Sequence, residues 1–283
     1  METISSPGLM QNAALARKGE GKLIAFVPTM GYLHQGHLSL IRAARKAGDV
    51  LAVSIFVNPS QFGPTEDLGA YPRDLQRDLG LLQDEGVDLV FTPGEKDIYP
   101  DGYSTWVEEE RFSRPLCGAA RPGHFRGVAT VVLKLFNLVQ PDTAFFGQKD
   151  YQQALVISKM VEDLNLPVTI EVCPIVREKD GLALSSRNKY LSPEERAQAP
   201  CLFAALNLAE KMTAAGELDT SRLIQAMRGL IESEPDARID YVSILEAENL
   251  EPIETIKGPA VAALAVFIGT TRLIDNAILS PPA

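Results

Sequence analysis

The chain has 283 residues, 46% of them hydrophobic and 23% charged, which is enough to bury a sizeable core and to divide into two domains. Its formal net charge of −10 argues against a general nucleic-acid binder, which needs a basic face to displace counterions from phosphates. Three scattered cysteines, Cys117, Cys173 and Cys201, form no CxxC pair; with only three histidines they argue against a zinc site and read as reduced thiols of a reducing, cytoplasmic compartment.

The first residues lack the charged-then-apolar order of a signal peptide, and the longest strongly apolar run, Ala260 to Ile268, is too short to span a bilayer. A soluble chain without a membrane partner is expected. Apolar spacing predicts a strand over 22–27 and a helix over 36–46 with Leu40, Ala44 and Ala47 on one face. A buried strand over 49–57 follows, then a proline-opened helix over 72–85 with Leu75, Leu79 and Leu82 aligned, and a strand over 87–91. Next come a helix over 128–138, a short strand over 143–146, an amphipathic helix over 151–164 with Ala154, Ile157, Val161 and Leu164 in register, and a β-branched strand over 167–172.

Strands alternating with helices predict an α/β fold with a Rossmann-like, doubly wound parallel sheet. After about residue 174 the pattern changes. Ser192-Pro193-Glu194-Glu195 is a helix start, helices are expected over 193–215 and 220–232, and strands over 240–246, 260–268 and 272–279. The expected division is a Rossmann-like domain over 1–175, a linker with a phosphate-binding loop over 176–188, and a smaller α+β domain over 189–283.

Four turns carry the candidate chemistry. Pro28-Thr29-Met30-Gly31-Tyr32-Leu33-His34-Gln35-Gly36-His37 sits between the first predicted strand and its helix, where open parallel sheets bind ligands. His34 and His37, three apart around Gly36 at a helix start, would point the same way beside backbone N–H groups and the positive end of the helix dipole. Each ring would donate a hydrogen bond to a phosphate oxygen; the plainer reading is a pair of helix-capping histidines. Asn58-Pro59-Ser60-Gln61-Phe62 follows the second strand and offers neutral hydrogen-bonders suited to a hydroxy acid, although Asn-Pro-Ser is also a common turn.

Gly147-Gln148-Lys149-Asp150-Tyr151-Gln152-Gln153 again joins strand to helix. Lys149 would neutralise triphosphate charge, Asp150 would bind a ribose or hold the lysine, and Gln153 would face inward; alternatively Asp150 caps a helix and Lys149 is solvated. Leu184-Ser185-Ser186-Arg187-Asn188 sets two hydroxyls before an arginine in the predicted linker, either a phosphate clamp on a mobile lid or a solvated string.

Taken together, PTMGYLHQGHLSLI, FVNPSQFGPTEDLGAYPRD, LCGAARPGHFRGVATVVLKLFNLVQPD, FFGQKDYQQ and DGLALSSRN resemble the pantoate–β-alanine ligase (pantothenate synthetase) family of the HxGH nucleotidyltransferases. The resemblance implies condensation of pantoate with β-alanine at the expense of ATP, through a pantoyl adenylate, releasing AMP and pyrophosphate. It implies that Met30, Gly31, Tyr32, Leu33, His34, Gln35, Gly36 and His37 hold ATP, with His37 in the role called proton donor. Gly147, Gln148, Lys149 and Asp150 would line the nucleotide, Val176 the adenine, and Leu184, Ser185, Ser186 and Arg187 the phosphates. Gln61 and Gln153 would bind pantoate, Gln61 would also lie near β-alanine, and Asn58 would be a further contact. Mg2+ would accompany ATP, with Asp78 as a ligand or else an ordinary surface residue of its helix, and a homodimer is implied. Two rivals differ in chemistry: an adenylyltransferase for a phosphorylated acceptor, which would need basic residues where Asn58, Gln61 and Gln153 are neutral, and a nucleotide sensor that has lost catalysis.

Overall fold

The computed structural model describes residues 1–64 and 66–282. The chain begins with β1 (Glu2–Ile4), α1 (Pro7–Gly19), β2 (Ile24–Thr29), α2 (Gln35–Arg45), β3 (Val50–Ile55), α3 (Leu75–Asp84) and β4 (Leu89–Phe91). Two one-turn helices, α4 (Glu95–Ile98) and α5 (Cys117–Ala120), precede α6 (His124–Val139), β5 (Thr143–Gly147), α7 (Tyr151–Asp163) and β6 (Thr169–Cys173). The remainder comprises α8 (Pro193–Gln198), α9 (Cys201–Ala214), α10 (Thr220–Ile231), β7 (Ala237–Glu246), β8 (Ala260–Ile268) and β9 (Thr271–Leu279). Two compact units result: Met1–Arg114 with Arg121–Gln148 and Gln152–Pro174, and Pro115–Ala120 with Lys149–Tyr151 and Ile175–Ala283.

In the first unit six strands pair in the order β1-β4-β3-β2-β5-β6, all parallel. Parallel neighbours need crossover helices, and those helices cover both faces, so the inner strands read as unbroken apolar runs. Successive side chains alternate between the faces. Ala25, Val27, Leu51, Val53 and Val90 meet Leu38, Ile41 and Ala44 of α2 and Leu82 of α3. Phe26, one residue out of step, turns to the opposite face and meets Phe136 of α6 edge-on, with ring centroids 6.4 Å apart. Strand order reverses between β2 and β5, so the crevice beyond their carboxyl ends is the place such a sheet binds a ligand.

Three predicted faces shift. On α2 the larger apolar pair Leu38 and Ile41 takes the sheet with Ala44, leaving Leu40 half-buried and Ala47 exposed. On α3 Leu75 is 42% exposed and Asp78 occupies the core-side position one turn before Leu82. On α7 Ala154 and Ile157 are buried with Met160, whereas Leu164 lies past the helix end and is exposed. The N-terminal β1 and α1 have no counterpart among the predicted elements: Ser6 caps α1 and Pro7 opens it, but Leu9 and Leu15 face outward and only Met10 and Ala14 are buried, which hides the helical period.

The second unit holds an antiparallel sheet in the order β7-β8-β9. Leu202, Ala205, Leu206 and Ala209 of α9 and Leu223, Met227 and Ile231 of α10 form one core with Val242, Ile244, Ala262, Leu264 and Val266 of the sheet. The single helix expected over 193–215 is two, interrupted at Ala199 and Pro200. Proline lacks the N–H that a continuous helix would use there and its ring crowds the preceding turn. The predicted start is present: Ser192 Oγ accepts the Glu195 N–H at 3.2 Å, and the Glu195 carboxylate accepts that of Ser192 at 2.8 Å.

Candidate active site

The loop after β2 is built from the backbone outward. Gly31 has φ +81, and a Cβ there would stand 2.9 Å from Ile55 Cγ2 and 3.1 Å from Asp78 Oδ2, so glycine alone suits the position. Thr29 Oγ1 donates to Ser54 O at 2.7 Å and accepts the Gly31 N–H at 3.1 Å. Asp78 takes the next two amides, Tyr32 N–H on Oδ2 at 2.6 Å and Leu33 N–H on Oδ1 at 2.8 Å. Arg77 donates to Leu33 O at 2.8 Å and lies 3.3 Å from Asp78 Oδ1.

Asp78 therefore corrects an expectation. It is 1% exposed, not a surface residue of its helix, and both of its oxygens serve the loop; a cation would have to compete with two amides and a guanidinium for them. Burial pushes its carboxyl above the ordinary range, and the two N–H groups and Arg77 pull it part of the way back.

His34 is the N-cap of α2, with extended backbone. Its Nδ1 accepts the Gly36 N–H at 3.1 Å, and His37 Nδ1 accepts the His34 N–H at 3.3 Å. An imidazole nitrogen that accepts carries no proton, so the neutral form of each ring bears its proton on Nε2. The ring centroids are 4.1 Å apart with planes 39° apart. The capping contacts are therefore present, and they set both rings at the positive end of a helix with the Nε2–H of each left for a partner other than the cap.

The second turn, Pro59–Gln61, joins this loop. Asn58, 1% exposed, donates from Nδ2 to Gln61 Oε1 at 3.0 Å and to Gly127 O at 3.2 Å. Gln61 Nε2 lies 3.3 Å from Met30 Sδ, bringing Met30, Asn58 and Gln61 together. The Gln61 carbonyl is held from the other side by His124 Nδ1 at 2.8 Å and Arg121 Nη2 at 3.2 Å, and Arg121 grips the Glu66 carboxylate at 2.7 and 2.5 Å. Burial raises the Glu66 pKa, but the hydrogen bonds and charge of Arg121 outweigh it and hold the carboxyl below its usual range. Arg121, His124, Glu66 and Tyr99 carry no role in the sequence reading; the third histidine, inside a stretch that bears the family resemblance, is the one available signal.

Gly147 ends β5 and Gln148 follows it. In α7 the buried amide is that of Gln152, donating to Phe112 O at 2.7 Å, and Gln153 beside it is half-buried. In the second unit, Lys149 O accepts Asn276 Nδ2 at 3.0 Å and Lys149 Nζ is 3.9 Å from Asp150 Oδ2. Val176 and Leu184 meet directly, Leu184 N–H donating to Val176 O at 3.0 Å. Ser185 Oγ accepts the Arg187 N–H at 3.2 Å and opens a turn over Ser186–Tyr190, with Ser186 buried. Asn188 pins the turn's base through Glu178 Oε1 and Ala183 O, both at 3.1 Å.

Residues 2–278 match the family model described as pantoate-beta-alanine ligase. The chain belongs to this family. It is 56% identical over 279 residues to a pantothenate synthetase of Moorella thermoacetica, covering 99% of both chains, and 58% identical over 264 residues to one of Carboxydothermus hydrogenoformans, covering 93% of each. Its fold matches a solved pantothenate synthetase of Thermus thermophilus with a TM-score of 0.93 at 46% identity, covering 99% of this chain and 100% of that one. A pantoate-beta-alanine ligase of Francisella tularensis, solved in complex with "Beta-gamma ATP and Beta-alanine", matches with a TM-score of 0.80 at 36% identity over 98% of this chain and 97% of that one. The chain is accordingly a ligase that joins pantoate to β-alanine to form pantothenate, in a family for which ATP is a substrate. Among the described residues no helix is long and apolar enough to cross a membrane.

Proposed function

We propose that this pantoate-beta-alanine ligase works through an acyl adenylate assembled at the HxGH loop. The observation that carries the reading is the pair of cap-oriented Nε2–H donors of His34 and His37 beyond the carboxyl end of β2. A carboxylate is inert to amines at neutral pH. In the first step a pantoate carboxylate oxygen attacks the α-phosphorus of ATP, the bond to the bridging oxygen of the β-phosphate breaks, and pyrophosphate leaves. In the second the neutral amine of β-alanine attacks the acyl carbon, the bond to the adenylate oxygen breaks, AMP leaves, and the proton lost by nitrogen passes to solvent. Most of the acceleration falls to positioning and to donors aimed at the growing phosphoryl charge.

In this reading Met30 to His37 hold ATP, with His34 and His37 donating to its phosphates. Lys149 and Arg187 balance phosphate charge, Gly147, Gln148 and Asp150 line the nucleotide, Val176 lies by the adenine, and Leu184 to Ser186 carry the backbone and hydroxyls of a phosphate loop. Gln61 and Gln153 bind pantoate, and Asn58 supports Gln61. The triphosphate calls for Mg2+, yet the described residues contain no group of three or more His, Cys, Asp or Glu side chains arranged for a metal, and Asp78 is committed to amides. The described residues therefore offer no cage of their own for the ion, whose ligands would come largely from the phosphates, and no step here is assigned to it. A cytoplasmic homodimer, the form the family resemblance implies, completes the proposal.

Pyrophosphate release dependent on both ATP and pantoate, followed by AMP release on adding β-alanine, is the expected result. Pyrophosphate release that ignores pantoate but requires a phosphorylated acceptor would overturn it.

A further inference from the structure

Tyr99 lies outside every motif given a role above, yet its hydroxyl meets the buried polar chain that ends at Gln61. That chain has a fixed direction. Gly127 O, a backbone carbonyl, can only accept, so the Asn58 atom 3.2 Å away must be the amide nitrogen. Asn58 Oδ1 then points the other way, where it accepts from Tyr99 Oη at 2.8 Å and Ser60 Oγ at 2.9 Å; the two hydroxyls are themselves 2.8 Å apart. The second hydrogen on Asn58 Nδ2 needs an acceptor, and Gln61 Oε1 supplies it at 3.0 Å. The Gln61 amide is thereby oriented with Nε2 on the Met30 side.

The enclosure is tight enough to hold this setting. A Cβ on Gly127 would stand 2.3 Å from Ser60 O, so α6 and the turn touch backbone to backbone. Tyr99 is itself wedged, stacked on Trp106 with centroids 5.8 Å apart and edge-on to Tyr103 at 5.1 Å. Burial raises its phenol to about 12, so it keeps the proton it donates.

We infer that Tyr99 is a positioning residue for acid recognition: Gly127 O sets the sense of the Asn58 amide, the Tyr99 hydroxyl holds its oxygen end in place, and Gln61 is thereby kept presenting an N–H donor, not a carbonyl, to the substrate. This rests on the reading of Gln61 as a pantoate ligand. It adds a specificity rule: the substrate atom at Gln61 is a hydrogen-bond acceptor, a hydroxyl or carboxylate oxygen, and an acid bearing an ammonium at that position is rejected.

The test is a double-mutant cycle on the full-length enzyme with Tyr99→Phe, Gln61→Ala and the double variant, reading KM for pantoate, KM for ATP, kcat and Tm. Tyr99→Phe is expected to raise the pantoate KM about tenfold, the scale of one hydrogen bond, and to leave the ATP KM within about twofold. In the Gln61→Ala background it should add nothing further. A pantoate KM unchanged by Tyr99→Phe, or raised equally with and without Gln61, overturns the inference while leaving the acid site intact. An unchanged pantoate KM in Gln61→Ala removes the acid-site reading itself, and the inference with it. A mere loss of folded enzyme lowers kcat, leaves KM, and counts against the positioning role. Should Tyr99→Phe not accumulate, Ser60→Ala removes the other hydroxyl donor to Asn58 Oδ1, and an unchanged pantoate KM there counts equally against the proposal.

Discussion

His37 Nδ1 accepts the backbone N–H of His34 at 3.3 Å, so the second histidine of the motif caps the residue that caps its own helix. Removing either ring therefore strips both a cap and a donor, and a variant is needed that separates them. Asparagine is a strong N-cap but cannot place a donor where the imidazole Nε2 stands. His34→Asn should keep Tm near wild type while slowing pantoate-dependent pyrophosphate release. His37→Ala should cost about a hundredfold or more in rate, the range for one charge-stabilising donor. A His34→Asn enzyme with full turnover would show that the ring serves only the helix.

Asp78→Asn tests what the buried carboxylate does. Both oxygens accept N–H groups, so an amide nitrogen in place of either faces another donor, a mismatch of about 1–3 kcal/mol in stability. The Tyr32–Leu33 backbone should loosen and the ATP KM rise. The magnesium concentration at half-maximal rate should not move. A marked rise in that requirement with Tm unchanged would make Asp78 a metal ligand after all.

What can be read from the chain follows the range of the interactions. The parallel sheet is legible because β2, β3 and β5 are covered on both faces and so are largely apolar, and the HxGH loop because its two rings and Gly36 act on one another within a single turn. The role of Asp78 is hidden because its partners, Tyr32 and Leu33, lie more than forty positions earlier in the chain. The Asn58 network draws on Tyr99 and Gly127, and Lys149 leans on Asn276, with nothing local to announce either. Pro200 is the exception: the break it makes between α8 and α9 is written in the sequence, but apolar spacing continues across it and masks the stop.

The Arg121–Glu66 pair gives a pH signature. Its carboxyl is held below the ordinary range, so its contribution to stability is present above the unfolded pKa, about 4.3, and is lost as pH falls through the lower folded value. Subtracting the Tm of Glu66→Gln from that of wild type across a pH series should give a positive difference at neutral pH that closes below about pH 4. A difference that stays constant down to strong acid would mean the pair contributes through shape and not through charge.

The buried pair Arg177–Asp275 yields the largest expected loss in the second unit. Asp275 is 3% exposed, receives Arg177 through two bonds of 2.5 and 3.0 Å, and precedes Asn276, whose amide holds Lys149 O. Burial pushes its carboxyl upward and Arg177 pulls it back. Arg177→Ala strands an uncompensated buried carboxylate, expected to cost about 3–5 kcal/mol in urea unfolding at neutral pH. With the opposing cation gone the folded pKa rises further. A raised carboxyl pKa gives stability that is full below the unfolded value and lost as pH increases, so the deficit against wild type should shrink on acidification. Arg177→Met combined with Asp275→Leu removes both charges and should recover most of the loss, since apolar replacement of a buried ion pair is often neutral or better. If the double variant is as unstable as Arg177→Ala alone, the pair is holding the Lys149 segment by geometry that no apolar contact reproduces.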